Sequence, residues 1–140
     1  MKPVALFLSL LLGACVVPVA VPVPGGSTPA QQVYGQWQIT GLAGQNVREP
    51  QAVLSIYSVN PQFMTHTDCN QIFGHYQLDA DTQALSFSNI ASTRMACEKA
   101  DIEQLVGQVL PQVRQYRFDG RRLEMLDERG VVVLQGKRVK

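Results

Sequence analysis

Short stretches in which apolar and polar residues alternate run through most of the chain after residue 33. Alternation of this kind places every second side chain on one face of a β-strand. Turn-forming residues separate the stretches, so consecutive strands are expected to pair antiparallel. The pattern predicts about eight strands, at residues 34–40, 51–58, 62–68, 74–78, 84–90, 115–118, 121–126 and 131–139.

One helix interrupts the strands. Its apolar residues recur at intervals of three and four, which is the spacing of a stripe that faces a core. Asp101 is the expected N-cap, and Pro111 is expected to end or kink the helix near Leu110. The stripe consists of Ile102, Leu105, Val106, Val109, Leu110 and Val113.

These elements predict a mainly β fold with one helix, in the α+β class. Closure of about eight antiparallel strands into a small β-barrel, crossed by the amphipathic helix, would leave no strand edge exposed. The side chains expected to point inward are bulky, which favours a filled interior. They are Trp37, Leu54, Ile56, Phe63, Phe87 and Phe118.

The N-terminus is typical of an export signal. Lys2 precedes an apolar stretch at 4–12, which is too short to span a bilayer. It ends in Leu12-Gly13-Ala14-Cys15, which resembles the bacterial lipobox. We therefore expect a lipoprotein signal peptide at 1–14 and acyl chains on Cys15, the alternatives being an ordinary signal peptide or a plain anchor helix. Prolines at 18, 22 and 24 disfavour a longer spanning helix.

The organisation expected after cleavage is a lipidated Cys15 and a Pro-rich tether over residues 15–32, followed by one domain at 33–140. Four prolines in the tether favour an extended conformation. Val16, rather than Asp, follows the cysteine, which favours the outer membrane. We expect a protein of the cell envelope, lipid-anchored at the periplasmic face of the outer membrane.

Composition and charge exclude several classes of protein. The chain is 46% hydrophobic with a formal net charge of +1, which excludes a fully disordered chain. The near-equal numbers of basic and acidic residues disfavour a nucleic-acid partner and a polybasic membrane patch. Residues 49–103 hold seven acidic and two basic residues, and residues 114–140 hold four acidic and eight basic ones. We expect these stretches to cancel in space. We interpret Arg121, Arg122, Lys137, Arg138 and Lys140 as a solvated basic face, the alternative being a contact with an anionic lipid or a glycan.

Candidate chemistry is sparse. His66 and Asp68, with His75 nearby, have the residue types of a Zn or Cu site, but we interpret the histidines as surface residues. We predict no catalytic residue, no metal and no cofactor, and we expect the protein not to be an enzyme. The serines at positions 86, 88 and 92 lack the sequence context of a nucleophile elbow. The carboxylate pairs Asp79/Asp81 and Asp127/Glu128 lie in expected turns, and we expect them to be solvated.

Two cysteines remain in the domain once Cys15 is assigned to the lipid. In an exported protein, Cys69 and Cys97 are expected to form a disulfide, the alternatives being free thiols or a metal site. Such a cross-link would stabilise the fold by about 3.5 kcal/mol in the chain-entropy account.

The residues around these cysteines resemble the META domain family, which includes the HslJ heat-shock lipoproteins. The resemblance rests on Gly35-x-Trp37, on the Cys-Asn…Gly-x-Tyr element at 69–76, on Thr-Arg-Met-Ala-Cys at 93–97 and on Tyr-Arg-Phe-Asp-Gly at 116–120. It departs from the family at Asp68, where Gly is usual, and at Pro111. It implies a lipocalin-like β-barrel, an exported or lipid-anchored protein and a link with envelope stress, but no reaction.

The motif residues are expected to serve a structural or a binding role. They are Asn70, Gly74, Tyr76, Thr93, Arg94 and Met95. We expect Asn70 to bond the local backbone, and Arg94 to fix its loop through backbone carbonyls or a carboxylate, the alternative being an anion-binding group.

The function expected from the sequence is that of a non-catalytic accessory lipoprotein of the envelope, acting in stress or integrity. Its partners would be the membrane, through the lipid anchor, and an envelope protein; the chain itself is expected to be a monomer. The alternative is a lipocalin-like carrier of a small apolar ligand.

Overall fold

A computed structural model describes residue 13 and residues 15–18, 28–48, 52–98 and 100–140. The expected signal peptide lies outside these residues except for Gly13, and so does the expected tether between residues 19 and 27. Cys15 is exposed, with a free thiol. Within the described ranges, no helix has the length and apolar character needed to cross a membrane.

Nine strands and one α-helix form in the described ranges. They are β1 (Gly35–Leu42), β2 (Gln45–Asn46), β3 (Ala52–Ile56), β4 (Gln62–Thr67), β5 (Gln71–Asp79), β6 (Ala84–Ser92), α1 (Asp101–Val109), β7 (Gln115–Asp119), β8 (Arg122–Leu126) and β9 (Val132–Arg138), with a 3-10 turn (Leu110–Gln112) between α1 and β7. The eight predicted strands are all present, and the ninth is the two-residue β2.

The sheet closes in a ring, and all of its pairings are antiparallel. β1 pairs with β3 on one side and with β9 on the other, while β2 extends only β1. The narrowest junction lies between β6 and β7, where Ala84 opposite Gln115 is the one registered pair of described residues. There α1 and the 3-10 turn cover the gap. The predicted mainly β fold with one helix is confirmed.

Alternating strand directions give the ring two different ends. The first, here called the tether end, holds the start of β1, the end of β9 and the turns β3–β4, β5–β6 and β7–β8. The second, here called the loop end, holds the β4–β5 turn and the segment that leaves β6. Residues that are far apart in sequence therefore meet at each end.

Large side chains fill the interior, as the alternation predicts. Trp37, Leu54 and Phe63 are each at most 1% exposed. The rings of Phe63 and Phe87 meet edge to face with centroids 4.8 Å apart, and Trp37 lies 6.0 Å from the half-buried Phe118. Aromatic pairs at this spacing add to the stability provided by burial.

The helix differs from the prediction at its start and agrees with it at its end. Ala100, not Asp101, is the N-cap, and no side chain caps the helix. Asp101 instead lies in the first turn, where its negative charge interacts favourably with the positive end of the helix dipole. Pro111 falls in the 3-10 turn that follows Val109, so the predicted end of the α-helix is confirmed.

The expected tether ends earlier than the sequence predicts. Thr28 and Gln31 exchange side chain–backbone hydrogen bonds, and Val33 is fully buried. The carbonyl of Val33 accepts a hydrogen bond from Trp37 Nε1 at 2.8 Å. Residues 28–32 are therefore folded onto the barrel rather than extended, and the structured domain begins near Thr28 instead of residue 33.

Candidate functional site

Asn70 organises the loop end of the barrel. It is 3% exposed and is the last residue of the β4–β5 turn, directly before β5. Its Oδ1 accepts hydrogen bonds from Thr93 Oγ1 and from the backbone N–H of Met95, both at 2.8 Å. Its Nδ2 donates to the Met95 carbonyl at 3.3 Å and to Glu103 Oε2 at 2.8 Å. One amide thus joins the β4–β5 turn, the segment after β6 and the first turn of α1.

Residues 93–97, here called the motif loop, are held at both ends. Thr93 lies next to β5, where its hydroxyl accepts the N–H of Gln71 at 3.0 Å. At the other end, Cys97 is joined to Cys69 with Cα atoms 6.2 Å apart, so the predicted disulfide is present. The motif loop has no regular secondary structure, and its position depends on these bonds and on Asn70.

Gly74 and Tyr76, the other motif residues, shape the sheet rather than a binding site. A Cβ at Gly74 would lie 2.7 Å from the Ser88 carbonyl oxygen, at the point where the β5–β6 register shifts. The Tyr76 hydroxyl donates to the carbonyl of Tyr57. Burial of this hydroxyl, with Tyr34 beside it, raises the pKa of Tyr76 to about 12.

Arg94 does not have the structural role expected of it. Its side chain is exposed, and among the described residues it forms no hydrogen bond or ion pair. Asn70 supplies the loop-fixing bonds instead, because its amide is buried within reach of three segments. Met95 beside it is 61% exposed. The motif loop therefore presents an arginine and a methionine to solvent on a constrained backbone.

The remaining sequence candidates do not come together into a reactive site. His66 pairs with Gln71, and His75 pairs with Gln62, so the two imidazoles lie at different levels of the β4–β5 ladder. Among the described residues there is no group of three or more His, Cys, Asp or Glu side chains that would hold a metal ion.

One turn carboxylate is not solvated as expected. Asp127 is 6% exposed, and its Oδ1 accepts the backbone N–H groups of Arg129 and Val131, each at 2.9 Å. These bonds, led by that of Val131, lower the pKa of Asp127 below its usual range. These hydrogen bonds stabilise the β8–β9 turn.

The three ion pairs of the described residues do not join the acidic stretch to the basic one. Arg117–Glu124, Arg122–Asp119 and Arg129–Asp127 all join residues of the basic stretch to one another. The tether end does carry acidic residues in its β5–β6 turn, where Asp79 accepts the backbone N–H of Asp81 at 2.9 Å.

Basic residues instead gather around a cleft of about 640 Å³ at the tether end. Pairing of Arg122 with Lys137 between β8 and β9 brings their two segments together. The guanidinium carbon of Arg138 lies 4.3 Å from the centre of the Trp37 ring. The cationic rim, as we call this group, comprises Arg121, Arg122, Lys137, Arg138 and Lys140, and the cleft is also lined by Gln32, Trp37, Phe118, Gly120 and Val139.

Sequence reasoning grouped the residues of the cationic rim into one basic face but did not indicate the cleft that they line. Arg138 Nη1 also donates to the Tyr34 carbonyl at 2.9 Å, and its Nη2 donates to the carbonyl of Gln32. The rim is thus attached to the segment through which the chain enters the barrel. Net positive charge above a partly apolar floor suits an anionic group.

Comparison with solved structures finds the same fold in two proteins. The NMR structure of a protein from Burkholderia xenovorans is 20% identical, with a TM-score of 0.60, and the alignment covers 89% of this chain and 98% of that one. The crystal structure of a DUF4847 family protein from Bacteroides vulgatus is 11% identical, with the same TM-score of 0.60, over 79% of this chain and 98% of that one. At these identities the likeness establishes the fold alone.

Comparison with curated proteins gives no match. The family model of the META domain matches residues 30–140. That range includes every strand of the ring and the helix, and it begins within the turn that precedes Val33. The matched region also contains Asn70, the disulfide and the motif loop. The chain therefore belongs to the META domain family.

Proposed function

We propose that this protein is a non-catalytic, lipid-anchored protein of the bacterial cell envelope, and that its META domain binds an envelope partner through the motif loop. In this role it supports envelope integrity under stress. The barrel is a scaffold, and the exposed Arg94 and Met95 make the contact with the partner.

The observation that carries this proposal is the contrast between backbone and side chains in the motif loop. Asn70 and the disulfide constrain its backbone, while Arg94 is exposed and Met95 is 61% exposed. Recognition residues are commonly placed on loops that a rigid scaffold holds in position. Arginine and methionine are both enriched in protein–protein interfaces.

The lipid anchor is proposed from the sequence around Cys15. Cys15 follows Leu12-Gly13-Ala14, as the lipobox requires, and its thiol is free and exposed. A disulfide between Cys69 and Cys97 suits an exported protein, because disulfides persist in oxidising compartments. The motif loop lies at the end of the ring opposite the chain's entry, where it would face away from the anchoring membrane.

The filled interior favours this function over that of a carrier. Small β-barrels have room for packed side chains or for one small ligand. Here the inward positions hold large residues that are almost fully buried, including Trp37, Phe63 and Leu54. An apolar ligand would have to displace this packed core.

Site-specific photocrosslinking in growing cells tests the proposal. A photoreactive residue at position 95 should capture an envelope protein, whereas one at Val59, which is 90% exposed, should not. Arg94→Ala with Met95→Ala should then lower recovery of that partner at least tenfold in a pull-down. Arg48→Ala with Val59→Ala changes exposed residues outside the motif loop and should leave recovery unchanged. Equal recovery with both double variants would contradict a contact through the motif loop.

A further inference from the structure

The cationic rim lies beside the segment before β1, through which the chain enters the barrel. Gln32 lines the cleft, and its carbonyl accepts a hydrogen bond from Arg138. Thirteen residue-to-residue steps separate Cys15 from Thr28, and they reach at most about 45 Å. If Cys15 carries the lipid, the cleft is thus kept within a short distance of the bilayer, at high effective concentration.

The charges of the rim are arranged to face outward. Gly120, with φ of +62°, occupies the first position of the two-residue β7–β8 turn, which places Arg121 at the tip. Among the described residues, Arg121 and Lys140 form no hydrogen bond or ion pair through their side chains. Arg138 contacts backbone carbonyls and the Trp37 ring, so its charge is not neutralised by a carboxylate.

Arg122 of the rim forms an exposed salt bridge with a carboxylate. Arg122 Nη2 lies 2.9 Å from Asp119 Oδ2, and both side chains are more than half exposed, so this pair contributes little energy. Asp79 and Asp81 also lie at the tether end, but they belong to the β5–β6 turn, outside the β7–β8–β9–β1 arc that forms the cleft.

We propose that the cationic rim docks on the membrane that carries the anchor, by binding the phosphate groups of anionic phospholipids. Arg121 and Lys140 contact the phosphates, and the 39%-exposed Val139 lies against the headgroup region. Basic residues beside an anionic bilayer gain electrostatic energy that falls off within a Debye length. Docking would direct the motif loop, at the opposite end, away from the bilayer. This inference rests on the proposed lipid anchor.

Trp37 provides a native probe, because it is the single tryptophan of the chain and forms part of the cleft. The lipidated protein is reconstituted in vesicles of phosphatidylcholine, with or without phosphatidylglycerol. Both vesicle types contain a trace of lipid spin-labelled at the headgroup, which quenches nearby fluorescence. We expect quenching of Trp37 to be stronger with phosphatidylglycerol and to be lost in about 1 M salt, where the Debye length is about 3 Å.

Matched variants test which charges act. Arg121→Gln with Lys140→Gln should lower the docking equilibrium constant about 25-fold, a factor of about five for each basic side chain. Arg48→Gln with Arg129→Gln removes two exposed charges outside the rim and should leave quenching unchanged. Equal quenching in the two vesicle types, or equal losses in the two double variants, would overturn the proposal.

Two further readouts separate the alternatives. In the first, inorganic phosphate is added to the same protein in phosphatidylcholine vesicles, and Trp37 emission is recorded. A saturable change in emission, without docking on phosphatidylglycerol, would show that the cleft binds a soluble phosphate and would overturn the lipid contact. Flotation of the vesicles reports the anchor. Protein that does not float contradicts the proposed function and this inference together, whereas protein that floats with equal quenching contradicts this inference alone.

Discussion

Asn70 Nδ2 donates a hydrogen bond to Glu103 Oε2 at 2.8 Å, across 33 residues of sequence. This bond attaches the first turn of α1 to the turn between β4 and β5. Because the same side chain also bonds Thr93 and Met95, the helix, the sheet and the motif loop share one buried amide. Loss of that amide should affect all three.

Replacing Asn70 by Ala should therefore destabilise the protein by about 3 kcal/mol, since several buried partners lose their hydrogen bonds at once. Asn46→Ala in β2 removes an exposed amide and should change stability by at most about 0.5 kcal/mol. Urea unfolding of both variants gives the comparison. Equal stability of the two would show that Asn70 does not organise the loop end.

Replacement of Gly74 and of Gly107 by alanine should have opposite effects on stability. Gly74→Ala places a Cβ 2.7 Å from the Ser88 carbonyl oxygen and 2.9 Å from that of Asn89, so strands β5 and β6 must separate and stability should fall by about 2 kcal/mol or more. A Cβ at Gly107, within α1, meets no atom within 4 Å, and Gly107→Ala should stabilise the protein by about 0.5–1 kcal/mol. Thermal unfolding measures both. Destabilisation by Gly107→Ala, or a neutral Gly74→Ala, would contradict the packing described.

The strands and the helix were predictable because their periodicity is local. Alternation identified eight strands, and the spacing of Val106 and Val109 identified the helix face. β2 was missed because it has two residues, Gln45 and Asn46, and both are exposed, so it shows no alternation of apolar and polar residues. The N-cap was misplaced because Asp is a common cap, whereas Ala100 takes that position here with no side-chain bond.

The sites were less predictable because they depend on contacts between distant segments. The sequence indicated that Asn70 forms hydrogen bonds with the nearby backbone. It did not indicate the hydrogen bond to Glu103, because that contact requires the first turn of α1 to pack against the β4–β5 turn. It assigned the loop-fixing role to Arg94, whose long side chain is instead exposed. Convergence of Arg121 and Lys140 with Gln32 and Trp37 requires pairing of β9 with β1, which no local pattern shows.

Asp127 predicts a defined dependence of stability on pH. Hydrogen bonds from Val131 and Arg129 lower its pKa in the folded state. Its contribution to stability is therefore fully present above the ordinary carboxyl pKa of about 3.9, and it is lost as pH falls through the lowered value. Asp127→Asn should reduce stability at neutral pH and flatten the acid part of the profile. Unfolding free energies measured between pH 7 and pH 2 test this.

Glu128→Gln is the control, because it removes an exposed charge from the same turn. Its acid profile should keep the slope of the unchanged protein. An unaltered slope in Asp127→Asn would mean that the hydrogen bonds in the β8–β9 turn do not favour the ionised carboxyl.

The anchor predicts a processing defect. Cys15→Ser removes the thiol that would accept the diacylglyceryl group, so the precursor should stay uncleaved and labelling with radioactive fatty acid should disappear. Cys69→Ser, which leaves Cys15 in place, is the control and should still be labelled. Normal labelling of Cys15→Ser would contradict the proposed lipid attachment.

We propose that the barrel is a filled scaffold and that partners bind to its surface. The most direct test of this proposal is a titration of the protein with fatty acids and with an apolar dye, alongside the unfolding of Phe87→Ala. A filled interior predicts dissociation constants no tighter than about millimolar and a loss of about 3–5 kcal/mol on truncation of Phe87. Saturable binding at about micromolar concentration, with little destabilisation by Phe87→Ala, would contradict the account and indicate a carrier.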